Sequence, residues 1–106
     1  MNIIAAIQCA SLLSGYPIVS DNYPPVYERF PNQIEREHSR MDALGVFMKY
    51  KGVNEVYIVA PSWDILVHES VHWLQWTNGV PFLELHTSNY EYIANKVQFR
   101  AWECPQ

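Results

Sequence analysis

The sequence predicts a small α+β domain in which a sheet flanks a buried helix. Three observations support this fold class: a length of 106 residues, strand patterns gathered in the middle of the chain, and helix patterns on both sides of them. Apolar residues make up 49% of the chain and aromatic residues 14%, which is enough to bury one core. We therefore expect residues 1–106 to form a single domain.

The first helix is predicted from an apolar stripe near the amino terminus, formed by Ile3, Ile4, Ile7, Ala10 and Leu13. No Lys or Arg precedes this stretch, and it is too short to span a bilayer. We interpret it as part of the core and expect no membrane segment, with a degenerate export signal as the alternative.

The middle of the chain carries the strand signals. Residues 26–30 alternate apolar and charged side chains, as a half-exposed strand does. Residues 32–44 have the spacing of a weak amphipathic helix with charges on its outer face. Residues 46–50 and 55–60 are predicted to be the strands of a hairpin whose turn is residues 51–54.

Residues 63–79 carry the strongest functional signal, the HExxH pattern of His68, Glu69 and His72. Residues i and i+4 of a helix lie on one face, so the two imidazoles would project in parallel and could bind one zinc ion. Glu69 lies about 100° round the helix, where its carboxylate can reach a metal-bound water as a general base. Shuffling this composition would produce the pattern in about one chain in a hundred, so the flanking sequence has to support it.

The flanks of the motif predict a well-delimited and buried helix. Ser62 can cap its start, and Asn78, Gly79 and Pro81 form a stop signal. The remaining residues are apolar nearly all round, as in a helix enclosed by a core. Buried polar groups need partners, and a metal ion with its water would satisfy all three motif side chains. The alternative is a pair of core histidines hydrogen-bonded to nearby carbonyls and carboxylates.

A zinc site that activates water needs a third protein ligand, and Glu91 is the first candidate. It follows His72 by 19 residues, on a final helix predicted at residues 89–102, where Ala94 would let the two helices pack closely. Ser88 precedes Glu91 by three residues. The alternative is therefore a capping box, in which Glu91 accepts only from the Ser88 backbone.

Other polar residues are candidates for supporting roles. Glu84 and His86, in the loop before the final helix, are rival ligands. His86, Tyr90 and His38 are candidate donors to the transition state. Asp64, one turn before the motif, is the candidate that orients a ring nitrogen.

His68-Glu69-x-x-His72 followed by Glu91-x-x-Ala94 resembles the zincin metallopeptidases of the gluzincin type, in which a second helix supplies a glutamate ligand. The His-x-Leu-Gln run and the Ala-x-x-x-Gln run are also similar to those of small zincin-like domains of bacteria and phages. The resemblance implies a minimal zincin-like fold, zinc as the cofactor and peptidase-type chemistry on a peptide or protein substrate. It further implies His68, His72 and Glu91 as ligands and Glu69 as the catalytic base.

Composition bears on partners and compartment. The net charge is −4 without a basic run, which argues against a nucleic-acid partner. Cys9 and Cys104 either form a disulfide that closes nearly the whole chain or stay free thiols in a reducing cytoplasm. The compartment stays open, with the cytoplasm slightly favoured over secretion.

A second hypothesis keeps the zinc and drops catalysis. The chain is small and lacks the helical subdomain that builds a deep cleft in large gluzincins, so it could be a zinc-stapled binding module. A phage-encoded protein acting on a host partner would be one example. If the chain is a peptidase, an extended substrate could add to an exposed edge strand, for which residues 55–60 are the candidate.

Overall fold

The computed structural model describes residues 2–29, 45–50, 53–59 and 62–106. These residues contain three α-helices and a three-stranded sheet. In chain order the elements are α1 (Ile3–Ser14), β1 (Val26–Arg29), β2 (Gly45–Tyr50), β3 (Val53–Val59), α2 (Trp63–Thr77) and α3 (Ser88–Phe99). Short 3₁₀ turns, Phe82–Glu84 and Ala101–Glu103, precede and follow α3. The predicted α+β class is confirmed. The helix predicted at residues 32–44 lies outside the described residues.

The sheet has β3 at its centre. Strand β1 pairs with it in parallel, with Val26 opposite Val56, and β2 pairs antiparallel, with Gly45 opposite Ile58. The two strands of the predicted hairpin are therefore confirmed. The predicted turn is too long, because residues 53 and 54 already belong to β3, and its residues 51 and 52 lie outside the described residues. The prediction of an exposed edge at residues 55–60 is wrong, because β3 pairs on both sides.

Helix α1 has clear signals at both ends. The side chain of Asn2 accepts from the backbone N–H of Ile4 at 2.9 Å, and Gly15 ends the helix with a φ of 85°. The buried side chains are Ala6, Ile7, Cys9 and Ala10. The predicted stripe is wrong at Ile4, which is 42% exposed. The buried face runs through Ala6 and Cys9 instead, and Cys9 is bonded to Cys104.

A disulfide between Cys9 and Cys104 ties α1 to the segment that follows α3. Their Cα atoms are 5.9 Å apart, although 95 positions separate them in sequence. Beside it, the indole N–H of Trp63 donates to the Ala101 carbonyl at 3.0 Å in a buried hydrogen bond. The disulfide and this hydrogen bond thereby connect the carboxyl-terminal segment to both α1 and the start of α2.

Helix α2 forms the centre of the core and packs against α1, α3 and the sheet. Leu66, Val71 and Trp73 are completely buried. Ser62 occupies the predicted N-cap position, but its hydroxyl donates to Asp64 Oδ1 at 2.6 Å instead of accepting from a backbone N–H. Across the described ranges, none of the helices has the length and apolar character needed to cross a membrane.

Candidate metal site

His68, His72 and Glu91 meet at one point between α2 and α3. The two imidazoles lie one helical turn apart, with ring centroids separated by 5.0 Å. Glu91 Oε1 is 3.2 Å from His68 Nε2 and also contacts His72 Nε2. The His72 side chain is fully buried, that of His68 is 12% exposed and that of Glu91 is 31% exposed. The three residues proposed as ligands from the sequence therefore face one another, with Glu91 on the solvent side.

The local structure of α3 explains why Glu91 turns towards the histidines. Thr87, not Ser88, occupies the N-cap position, so the alternative capping box with Ser88 is not formed. Ala94, one turn after Glu91, is completely buried, as expected for a small residue where two helices pack closely. Glu91 lies in the first turn of α3, where the helix dipole also favours a negative charge.

Glu69 lies beside this cluster and is itself buried, with 4% of its surface exposed. Its Oε2 atom is 4.0 Å from His68 Nε2. One ligand atom from each of His68, Glu69 and His72 can be chosen so that all lie within 4.8 Å of one another. This buried group could hold a metal ion.

His86 extends the cluster on its other side. Its ring centroid is 5.0 Å from that of His72, and its Nδ1 atom is 4.0 Å from Glu91 Oε1. His72, His86 and Glu91 thus form a second group whose ligand atoms lie within 4.8 Å of one another. Of the two rival ligands, His86 is at the site, whereas Glu84 is exposed and belongs to neither group.

The remaining candidates take other places. Tyr90 contributes its backbone carbonyl, which accepts from Gln75 Nε2 at 3.1 Å. Asp64 is exposed, and it accepts from Gln98 Nε2 at 3.2 Å instead of from an imidazole. The prediction that Asp64 orients a ring nitrogen directly is therefore wrong. His38 lies outside the described residues.

Two glutamines at the site entered the sequence analysis only as parts of the runs that resemble zincin-like domains, with no contact assigned to them. Gln75, completely buried, places its Oε1 atom 2.8 Å from His72 Nδ1. Gln98 lies close enough to His68 to affect its pKa. The available signal was their spacing: Gln75 follows His72 by three residues, and Gln98 lies two helical turns after Glu91.

The charges at the site stabilise one another. Burial lowers the pKa of His68, but the hydrogen bond with Glu91 and the charges of Glu69 and Glu91 outweigh this and raise it overall. Hydrogen bonds from His68 and His72 hold the pKa of the Glu91 carboxyl well below its usual range, against the opposing effect of burial. Glu91 is therefore an anion at neutral pH, the form in which a carboxylate can bind a metal.

The chain matches no protein-family model, no curated protein and no solved structure. Its resemblance to gluzincins therefore depends on the two motifs, and a function has to be argued from the site itself. The two groups at that site together contain three imidazoles and two carboxylates, which are ligand types that bind transition metals such as zinc.

Proposed function

We propose that the chain is a zinc-dependent hydrolase that cleaves amide bonds in a peptide or protein substrate. In this proposal His68, His72 and Glu91 bind the metal, and Glu69 is the catalytic base. The observation that carries it is the position of Glu91 Oε1 against the Nε2 atoms of both histidines, 19 residues away from the second of them. Two nitrogen ligands and one carboxylate are a ligand set of catalytic zinc sites, and they leave a fourth position open.

The choice of zinc follows from the ligand atoms. Magnesium and calcium prefer sites built from oxygen, whereas imidazole nitrogens favour zinc and its transition-metal neighbours. When bound, zinc would polarise a substrate carbonyl and lower the pKa of a water to about 7. The imidazoles of His68 and His72 would present their Nε2 atoms, since these are the nitrogens that face Glu91.

The position of Glu69 supports its proposed role in proton transfer. Its carboxylate lies beside His68 on the same helix but is not part of the Glu91 contact. As the base it would take a proton from the attacking water and pass it to the leaving amine. Its burial keeps bulk water from competing for that proton.

The sheet offers a place for an extended substrate. Gly45, the first residue of β2, lies against Glu69, and β2 has no second strand partner among the strands of the described chain. A peptide that added to this edge would be held by backbone hydrogen bonds beside the base. Strand β2 therefore replaces residues 55–60 as the proposed edge.

The test compares Glu69→Gln with His68→Ala in protein purified without a His tag. Metal content is measured by elemental analysis, and turnover with a quenched fluorescent peptide library. We expect Glu69→Gln to keep its zinc and lose turnover by about 10²-fold or more, and His68→Ala to lose zinc. Glu84→Gln, the same change at an exposed residue, should alter neither. Unchanged turnover in Glu69→Gln would contradict the hydrolase.

His86 favours a second candidate, a zinc-stapled binding module that acts through a protein partner. Its Nδ1 atom is 4.0 Å from Glu91 Oε1, so a small movement would make it a fourth ligand and close the shell. X-ray absorption of the zinc-loaded protein separates the two candidates. Four protein ligands, with loss of one in His86→Ala, would favour the module. Three protein ligands plus an oxygen from solvent would favour the hydrolase.

A further inference from the structure

The Nδ1 atom of His72 lies 2.8 Å from the side chain of Gln75, and a second glutamine, Gln98, lies near His68. We infer that Gln75 and Gln98 are positioning residues that accept from the Nδ1–H groups of His72 and His68, the tautomer in which Nε2 is the nitrogen left for a metal. The reason that this tautomer matters depends on the proposed function, because only an unprotonated nitrogen can bind a metal. The placement of the glutamines is a separate observation.

The hydrogen bonds of Gln75 fix the orientation of its amide. Its Nε2 atom donates to the Tyr90 carbonyl at 3.1 Å, and a carbonyl can only accept. Its Oε1 atom is then the one that lies 2.8 Å from His72 Nδ1. Because an amide oxygen can only accept, Nδ1 must carry the proton. Nε2 of the same ring faces a second acceptor, the Glu91 carboxylate. A metal bound at Nε2 would take the place of the proton there and leave Nδ1–H with Gln75.

Gln98 is anchored in the same way on the other side of the site. Its Nε2 atom donates to Asp64 Oδ2 at 3.2 Å. Hydrogen bonding, first of all from Ser62, lowers the pKa of the Asp64 carboxyl, so Asp64 is an acceptor at neutral pH. The carbonyl oxygen of Gln98 is therefore the atom available to His68.

The Gln98 oxygen could supply the hydrogen-bond partner that the Nδ1 atom of His68 lacks among the described residues. The Nε2 atom of His68 faces Glu91, whereas its Nδ1 atom is buried and has no hydrogen-bond partner in the described part of the chain. Gln98 is already near enough to contribute to the raised pKa of His68. We expect Gln98 to accept from Nδ1–H when His68 binds the metal. Gln98 is only half-buried and its anchor is exposed, so its effect should be smaller than that of Gln75.

The use of amides limits the negative charge at the site. Glu69 and Glu91 already provide two carboxylates beside the histidines, which balance the charge of one divalent ion. A carboxylate behind each imidazole would add two more negative charges in a largely buried place, where charges are costly. An amide supplies the acceptor that selects the tautomer without adding charge.

The test reads the tautomer of His72 in metal-free Glu91→Ala protein, because the Glu91 carboxylate would otherwise compete for the ring proton at Nε2. Long-range ¹H–¹⁵N correlation spectra at about pH 9, where imidazoles are neutral, report which ring nitrogen carries the proton. We expect Nδ1–H for His72 in Glu91→Ala and a shift towards Nε2–H when Gln75→Met, which has similar volume but no acceptor, is added. Gln75→Glu restores an acceptor and should restore Nδ1–H. Gln8→Met, at an exposed glutamine of α1, is the matched control.

Zinc affinity, measured by competition with a chelator, gives the second readout. We expect a loss of about 10- to 100-fold in Gln75→Met, a smaller loss in Gln98→Met and none in Gln8→Met. Circular dichroism checks that each variant is folded. If Gln75→Met does not fold, the Gln75→Glu variant is compared with the unaltered protein instead. Zinc binding by the unaltered protein with no change of tautomer or affinity in Gln75→Met would overturn this inference and leave the proposed function intact. No zinc affinity in the unaltered protein would overturn the proposed function, while the metal-free spectra would still test the glutamines.

Discussion

Gly45 lies against the side chain of Glu69, so that a β-carbon built on Gly45 would be 3.1 Å from Glu69 Oε2. The same carbon would be 2.6 Å from Ile65 Cγ2, a distance that real contacts do not allow. Strand β2 can therefore begin next to the proposed base only because this position has no side chain. A residue outside the helix thereby determines how closely the sheet approaches Glu69.

Gly45→Ala should displace Glu69 without removing the metal. The added methyl group has to push away either Ile65 or Glu69, which we expect to cost about 1–3 kcal/mol of stability. A shift of the base by about 1 Å would lower kcat by up to about 10²-fold, whereas the zinc content should not change. Turnover, elemental analysis and thermal unfolding of the purified variant give the three values.

Gly15→Ala is the control for general destabilisation. Gly15 has a φ of 85° and nothing within 4 Å of the added carbon, so its substitution strains the backbone without touching the site. It should lower stability by about 1 kcal/mol and leave kcat unchanged. An unaltered kcat in Gly45→Ala as well would show that the contact with Glu69 is not needed.

Glu91→Gln should lose most of its zinc affinity. The amide keeps an oxygen at the same place, but it removes the negative charge that both histidines now face. Because a neutral oxygen is a much weaker ligand than a carboxylate, we expect affinity to fall by at least about 10-fold, and further in Glu91→Ala. Chelator competition measures both, with Glu84→Gln as the control. Zinc affinity that survives Glu91→Ala would exclude Glu91 as a ligand.

The metal-free protein should be most stable within one pH window and should lose stability both below and above it. The pKa of Glu91 is lowered from its ordinary 4.5, so its contribution is complete above that value and is lost as pH falls through the lower folded pKa. The pKa of His68 is raised from 6.5, so its contribution is complete below that value and is lost as pH rises through the higher folded pKa. Both contributions are complete between these two ordinary values.

Urea unfolding of metal-free protein across pH 3 to 9 tests this window. We expect Glu91→Ala to flatten the alkaline decline, because His68 then loses the partner that raises its pKa. An alkaline decline that is equally steep in Glu91→Ala would show that another group causes it.

Local sequence signals predicted the helices and strands, but they could not predict which distant strands pair with one another. Capping and stop residues around α2 placed its ends, the alternation of side chains placed β1, and the hairpin pattern placed β2 and β3. The parallel pairing of β1 with β3 joins Val26 to Val56 across thirty positions, so nothing local indicated that β3 lies in the centre of the sheet. The wrong edge strand followed from that.

The candidate ligands could be predicted from the sequence, whereas the orientation of the side chains around them could not. The number of ligands that zinc needs pointed to Glu91, and the structure brings its carboxylate to both histidines. The direction of an amide depends on what it meets in the folded state, so the sequence could not assign Gln75 to His72 Nδ1. For the same reason the sequence could not show that Asp64 accepts from Gln98 instead of from a histidine ring.

Removal of the disulfide should lower the stability of the fold strongly and affect zinc affinity only weakly. Cys9 and Cys104 close a loop of 95 positions, and loop entropy assigns about 4 kcal/mol to a bond of this span. In a chain of this length that corresponds to a fall in Tm of about 15 °C or more. The site itself should persist, because Glu91 joins α3 to α2 and the buried hydrogen bond from Trp63 to Ala101 joins α2 to the turn that follows α3. Thermal unfolding and zinc titration of the double variant Cys9→Ser, Cys104→Ser measure both effects, and a reductant should lower the Tm of the unaltered protein but not that of the variant. An equal Tm for the two proteins would mean that the bond contributes nothing to the fold.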